Sequence, residues 1–153
     1  MKALAALNYQ RTPRTIKSDC MELISTHFVK TQDVGYHGNL FGGVMLAWLD
    51  EAAAAFAAQA ADTPRMVTKH IAGLTFEKPV RPGQIIKIYG EVAKIGKTSL
   101  TLNMEARRHS VYNGTQCTAV STQMTFVRID GDGEAIPISE RVRLKYRDPK
   151  DFT

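Results

Sequence analysis

Cysteine is scarce: Cys20 and Cys117 are the two in 153 residues, and neither stands in a CxxC or other metal-ligand spacing. A disulfide framework has no support, and a reducing cytoplasmic setting is the expectation. Long hydrophobic runs are missing too. The nearest, Val44 to Ala61, is interrupted by Asp50, Glu51 and Gln59 and consists largely of alanine, short of the hydrophobicity of a membrane span. Met1 to Leu7 carry one lysine and an apolar run shorter than a secretory leader needs, so no signal peptide and no membrane partner are expected. Basic residues outnumber acidic ones, giving a net charge of +5, yet they are scattered and no aromatic pair flanks a basic run. That distribution argues against a nucleic-acid partner, which would call for a concentrated cationic face and stacking platforms. Asp130-Gly131-Asp132-Gly133 lacks the rest of a twelve-residue calcium loop and reads as a tight turn. No metal and no cofactor is expected.

What is present is enough apolar material, 44% of residues, to build one core without cross-links. Residues 1–17 are polar and basic and read as an N-terminal arm, 18–138 as a single domain, and 139–153 as a charged C-terminal tail. Met21 to Val29 is rich in β-branched and aromatic residues, as a strand prefers. Gly42-Gly43 then opens a run of helix formers from Val44 to Ala61, apolar on every side of the wheel, which Asp62, Thr63 and Pro64 stop. Beyond it the period becomes two. Leu100, Leu102, Met104 and Ala106 alternate with Thr101, Asn103, Glu105 and Arg107, the pattern of a half-buried strand. Further strands are expected at Met66 to Phe76, Gln84 to Ile95 and Thr115 to Ile129, joined by short turns. One long helix with several strands makes the fold class α+β, an antiparallel sheet curved around the helix. A single sheet leaves one side of such a helix bare, and a second copy of the chain is the simplest cover.

The chemistry concentrates between Gly35 and Asp50. A helix N-terminus presents unpaired N–H groups, and glycine at Gly42 and Gly43 lets a carbonyl oxygen approach them, which describes an oxyanion hole. Asp50 is a carboxylate inside an apolar helix, where lost hydration calls for a reason such as catalysis or a cation partner. Glu51 points about 100° away around the helix, so at most one of the two faces a given site. Gly42 and Asp50 are about 12 Å apart along one helix, too far to act on one carbonyl. A dimer in which one protomer's helix N-terminus meets its partner's Asp50 would hold two shared sites. His37 and Asn39, in the loop before the helix, are candidates to hydrogen-bond a substrate oxygen or a water, and both also suit a turn.

The stretch Asp33 to Ala54, DVGYHGNLFGGVMLAWLDEAAA, resembles the helix-entry motif of hotdog-fold acyl-CoA thioesterases, in particular their cytosolic acyl-CoA hydrolase branch. Leu74 to Gly83, LTFEKPVRPG, and Gly96 to Leu100, GKTSL, resemble that family's next segments in the same order. The resemblance implies a long helix wrapped by about five antiparallel strands, dimers that assemble further, up to a hexamer, and hydrolysis of acyl-CoA to fatty acid and CoA. It matches Asp50 to the catalytic carboxylate, as general base or nucleophile, and Gly42 and Gly43 to the oxyanion turn. Thr68 resembles a polar residue facing the site. Lys97, Thr98 and Ser99 are matched to the groups that meet the phosphates of CoA. Arg107 and Arg108 alternate in facing, so only one, taken as Arg107, is expected to reach a phosphate. One position departs: Gly35 stands where many relatives carry asparagine. Either His37 or Asn39 then supplies the missing contact, or the chain is a non-catalytic acyl-CoA-binding domain, which is the alternative reading.

Overall fold

Period-two patterning produces one antiparallel sheet in the computed structural model, which describes residues 21–147. The expected arm of residues 1–17 and the last residues of the expected tail lie outside the described residues. The strands are β1 (Glu22–Phe28), β2 (Met66–Ile71), β3 (Thr75–Phe76), β4 (Ile85–Ile95), β5 (Ser99–His109) and β6 (Gln116–Arg128). They lie in the order β1-β4-β5-β6-β2, with β3 also paired to β6, and every pairing is antiparallel. Helix α1 (Gly42–Ala61) begins two residues before the expected Val44, and α2 (Glu140–Lys145) follows the sheet.

Alternation decides what faces α1. Leu100, Leu102, Met104 and Ala106 of β5 are fully buried, and their partners Phe126, Met124, Thr122 and Val120 on β6 share that inner face. Each of the large apolar side chains contributes about 1.5–3 kcal/mol by leaving water. From α1 come Met45, Leu49 and Phe56, together with Ala52, Ala53, Ala57 and Ala60, whose small side chains bring the helix close to the sheet. The ring of Phe56 lands on Gly90 of β4, where an added Cβ would stand 3.3 Å from the ring and 3.0 Å from the Met104 sulfur. The opposite face of α1, with Gly43, Leu46, Ala47, Glu51 and Ala55, is exposed in the protomer. The apolar character read on every side of the wheel thus divides into a face buried by the chain's own sheet and a face left open. Asp62, at φ 54°, ends the helix by donating its N–H to the carbonyls of Ala58 and Gln59.

Two expectations change. The strand expected from Met66 to Phe76 is two strands along β6, because the register slips between Thr68 and His70 and pairing resumes, shifted again, at Thr75. Ala72 still donates to the Gln123 carbonyl at 2.9 Å, so the chain stays against β6 through the interruption. Residues 139–153, expected as a charged tail, begin with α2, which seats Val142 in the core beside Ile138. Arg141, paired with Asp62, and Arg143, donating to the Ile138 carbonyl at 3.0 Å, hold the helix down beside that valine. Asp130 does close a tight turn: its Oδ1 accepts the N–H groups of Asp132 and Glu134 at 2.8 and 3.0 Å. No helix among the described residues is long and apolar enough to cross a membrane.

Candidate active site

The loop before α1 is tied at several points, which fixes where the helix begins. Gly35 donates to the Asn39 carbonyl at 2.8 Å and Gly38, at φ +79°, donates back to Gly35 at 2.9 Å. The N–H of Asn39 meets Nδ1 of His37 at 3.1 Å, so a neutral His37 ring carries its proton on Nε2. Leu40 donates to the Val80 carbonyl at 2.6 Å and Phe41 to that of Asp33 at 2.9 Å. No side chain caps the N-terminus of α1. Gly42 and Gly43 therefore open the helix with N–H groups available to a ligand. An added Cβ would come within 3.3 Å of the Phe76 ring at Gly42 and 2.9 Å of the Phe41 ring at Gly43. Two half-exposed aromatic rings thus lie close over both glycines, and a side chain at either would have to push one aside.

A cavity of about 360 Å³ opens at this helix end, lined by His37, Asn39, Gly42, Met45, Phe76 and Val80 among others. Four of the residues singled out from sequence thus belong to one region: His37, Asn39 and Gly42 line it and Gly43 is next in the helix. Phe76 was not singled out, and no local pattern marks it; its role appears only once β3 lays it against Gly42.

Asp50 lies two turns further along α1, and Thr68 on β2 reaches it with a hydroxyl that donates to Oδ1 at 2.7 Å. Thr68 pairs with the buried Phe126, so it lies on the sheet face turned toward the helix. The register shift directly after it moves the pairing of His70 and Ile71 along β6 by one residue. Within one protomer neither Asp50 nor Thr68 lines the cavity at Gly42. Glu51 faces elsewhere, and its charge acts instead on His27. That imidazole stacks on Trp48 with centroids 4.4 Å apart and planes 13° from parallel. Burial lowers the pKa of His27, and the charges of Glu51 and Asp33 only partly oppose it.

Lys97, Thr98 and Ser99 form the β4–β5 hairpin, held by Gly96 donating to Ser99 at 2.8 Å, Arg128 to Thr98 at 2.9 Å and Ile138 to Lys97 at 2.8 Å. All three donor–acceptor pairs use backbone atoms, and the Lys97 side chain is exposed. Ser99 pairs with Val127, which pairs with Val67, placing the hairpin one row from Thr68 and two strands away, roughly 10 Å. It therefore belongs to the Asp50 end of the protomer.

Arg107 is placed differently from the expectation. It points to the outer face of the sheet, where it pairs with Glu105 at 2.8 Å and lies over the Tyr89 ring at 4.1 Å. Partial burial would raise the Glu105 pKa, but the hydrogen bonds from Arg107 and Thr118 outweigh it and hold the carboxyl low. With its charge committed there, Arg107 is turned away from both α1 and the cavity. Arg108 takes the inner side and donates to the Pro79 carbonyl at 2.7 Å.

Known proteins resemble this arrangement. The thioesterase superfamily matches residues 37–114, about half of the chain. A Zymomonas mobilis protein named as an uncharacterized acyl-CoA thioester hydrolase is 36% identical over 95 residues, 62% of this chain and 63% of its own. The chain thus spans a little under two thirds of that relative's length. A hexameric hotdog-fold thioesterase of Campylobacter jejuni superposes with a TM-score of 0.76 at 29% identity, over 84% of this chain and 98% of its own. An acyl-CoA hydrolase of Staphylococcus aureus, solved with butyryl coenzyme A and coenzyme A, superposes with a TM-score of 0.71 at 26% identity, over 84% and 81% of the two chains. The wrapped helix and antiparallel sheet are the hotdog fold.

Proposed function

The chain belongs to the thioesterase superfamily, and from that premise we propose that it hydrolyses acyl-CoA thioesters to a free acid and coenzyme A at sites shared between two protomers. The observation that carries this reading is the Asp50 carboxylate, which the Thr68 hydroxyl of β2 holds and which sits on the same helix whose uncapped N-terminus opens into a cavity. The thioester carbonyl oxygen is received by the N–H groups of Gly42 and Gly43, which stabilise the negative charge that develops as the carbonyl is attacked. Asp50 of the other protomer takes the proton from an attacking water, and the thiolate of CoA leaves with the bond to sulfur broken. Direct attack by Asp50, giving an acyl-carboxylate intermediate that water then cleaves, is the other route the same group permits. Thr68 leaves one carboxylate oxygen engaged and the other available.

Sharing follows from the helix: roughly 12 Å separate Gly42 from Asp50 within a protomer. The open face of α1, and the free edge of β2 with Val67 exposed, support a second copy as the cover. The named hexamer among the structural relatives supports assembly of such dimers further. In this arrangement Lys97, Thr98 and Ser99 come to the site with Asp50 and meet the pyrophosphate of CoA. No metal or cofactor takes part in these steps.

Gly35 favours His37 as the supplier of the contact that a side chain there would give. A Cβ at Gly35 would stand 3.1 Å from Nε2 of His37, so the imidazole already fills that space. Its Nε2–H, not engaged by the loop, donates to the substrate oxygen. Thiol release from short, medium and long acyl-CoAs, run beside Asp50→Asn, tests the reading. Turnover should fall by roughly 100-fold or more in the variant. Binding of the esters without release by the wild type would make the chain the non-catalytic alternative.

A further inference from the structure

A second cavity, of about 410 Å³, is lined by Gly83 and Gln84 at the end of the connection whose earlier residues, Glu77 to Val80, line the one at Gly42. Arg108, His109, Tyr112, Gln84 and Gln116 line it, and no carboxylate does. Arg108 has no acidic partner among the described residues and spends one N–H on the Pro79 carbonyl, leaving the rest of its guanidinium uncommitted. The Gln116 amide meets Nδ1 of His109 at 3.1 Å, which leaves the other ring nitrogen of a neutral His109 to donate. Val111 lines it as well, 52% exposed, and Tyr112 is 97% exposed, so the Tyr112 ring is open on both faces. A cavity with a free guanidinium, outward donors, no competing acid and a bare aromatic at its mouth suits a phosphorylated nucleoside: the cation and donors for phosphate, the ring for the base.

Pro79 connects the two cavities, since its carbonyl takes the Arg108 bond while the residue lines the cavity at Gly42. Whatever enters one cavity therefore has the other across a single stretch of chain. Resting on the acyl-CoA reading above, we propose that this cavity holds the 3′-phosphorylated adenosine end of coenzyme A, with Arg108 on the 3′-phosphate and Tyr112 against the adenine. The Lys97 hairpin stands at the other end of β5 from Arg108, roughly 30 Å along the strand, so the two sets of donors cannot serve the same phosphate from one protomer.

The test compares an acyl-CoA with the same ester of 3′-dephospho-CoA, in the wild type and in Arg108→Gln, Arg108→Lys, Tyr112→Ala and Lys97→Gln. Arg108→Gln should raise KM for the CoA ester about tenfold, the loss of one charge-assisted hydrogen bond, and leave KM for the dephospho ester and both kcat values in place. Arg108→Lys should fall between, and Tyr112→Ala should raise KM for both esters, since both carry adenine. Lys97→Gln, acting on a pyrophosphate that both esters retain, should not distinguish them. If Arg108→Gln affects the two esters equally, Arg108 serves only to hold Pro79 and the proposal falls. It falls equally if KM for the CoA ester does not move. A wild type that releases no thiol from either ester would instead overturn the thioesterase reading itself.

Discussion

Replacing Gly42 with alanine sets two effects of opposite sign against each other. Alanine is favoured over glycine in a helix interior by up to about 1 kcal/mol, and by roughly half of that in the first turn. The new Cβ would stand 3.3 Å from the tip of the Phe76 ring, tighter than ordinary contact by a few tenths of an ångström. That ring is 50% exposed and can swing outward, so the steric cost is small. The net change in stability is then between about 0 and +0.5 kcal/mol, a rise in Tm of at most about 2 °C. Activity should move the other way: a methyl in front of the helix N–H groups denies them to the developing oxyanion, which costs about 100-fold in kcat. Thermal unfolding and thiol release on the same preparation measure the two quantities. A variant that is as active as wild type would refute the oxyanion role and leave glycine there merely to seat Phe76. Co-expression with Asp50→Asn adds a test of sharing. A mixed dimer of the two variants keeps one intact pairing of Gly42 with a partner's Asp50, so random mixing should recover about one quarter of wild-type turnover. Sites contained within single protomers would recover none.

Thr68→Val removes the hydroxyl that holds Asp50 Oδ1 at 2.7 Å while keeping the side-chain shape. With Asp50 part-exposed in the protomer, kcat should fall about tenfold with KM and Tm nearly unchanged; an undiminished kcat would remove Thr68 from the positioning of Asp50. His27 gives a pH signature. Its pKa is depressed in the folded state by burial beneath Trp48, so the unfolded chain binds its proton first as pH falls. The stability it contributes is complete above the unfolded pKa of about 6.5 and is lost as pH drops through the lower folded pKa. Urea midpoints measured from about pH 7 to pH 5 should decline in the wild type and decline less in His27→Gln, and parallel curves would show that this imidazole titrates alike in both states.

The strands and the helix were legible because their periods differ and because Gly42-Gly43 and Asp62-Thr63-Pro64 punctuate the chain. The break in the strand from Met66 to Phe76 was not, since a bulge adds one residue without changing composition. Helix α2 was hidden by its own charge: of its residues only Val142 enters the core, and a single valine carries no period. Ser139 ahead of Glu140, a helix-start pair, was the signal that could have revealed it. For the site, Asp50 and the glycine pair stood out by composition, and the family resemblance brought Thr68 to Asp50's side. Arg107 could have been placed by the alternation already in hand. It falls in step with Glu105 and Asn103, away from Leu102, Met104 and Ala106, so the inner arginine is Arg108. Phe76 and the cavity beside Arg108 depend on which distant strands meet, and no local spacing encodes that.

The ring of Phe56 resting on Gly90 bears on more than packing. A helix lined with alanine has little to stop it rotating or sliding against a sheet, because small side chains leave a smooth track. One large ring dropped into the single gap that a glycine leaves in β4 acts as a key in a slot, fixing both the angle and the advance of the screw. Asp50 rides on that screw six residues earlier, two thirds of a turn out of phase. The direction in which its carboxylate points is therefore set in part by a missing side chain on β4, which β5 and β6 separate from the Thr68 that holds it.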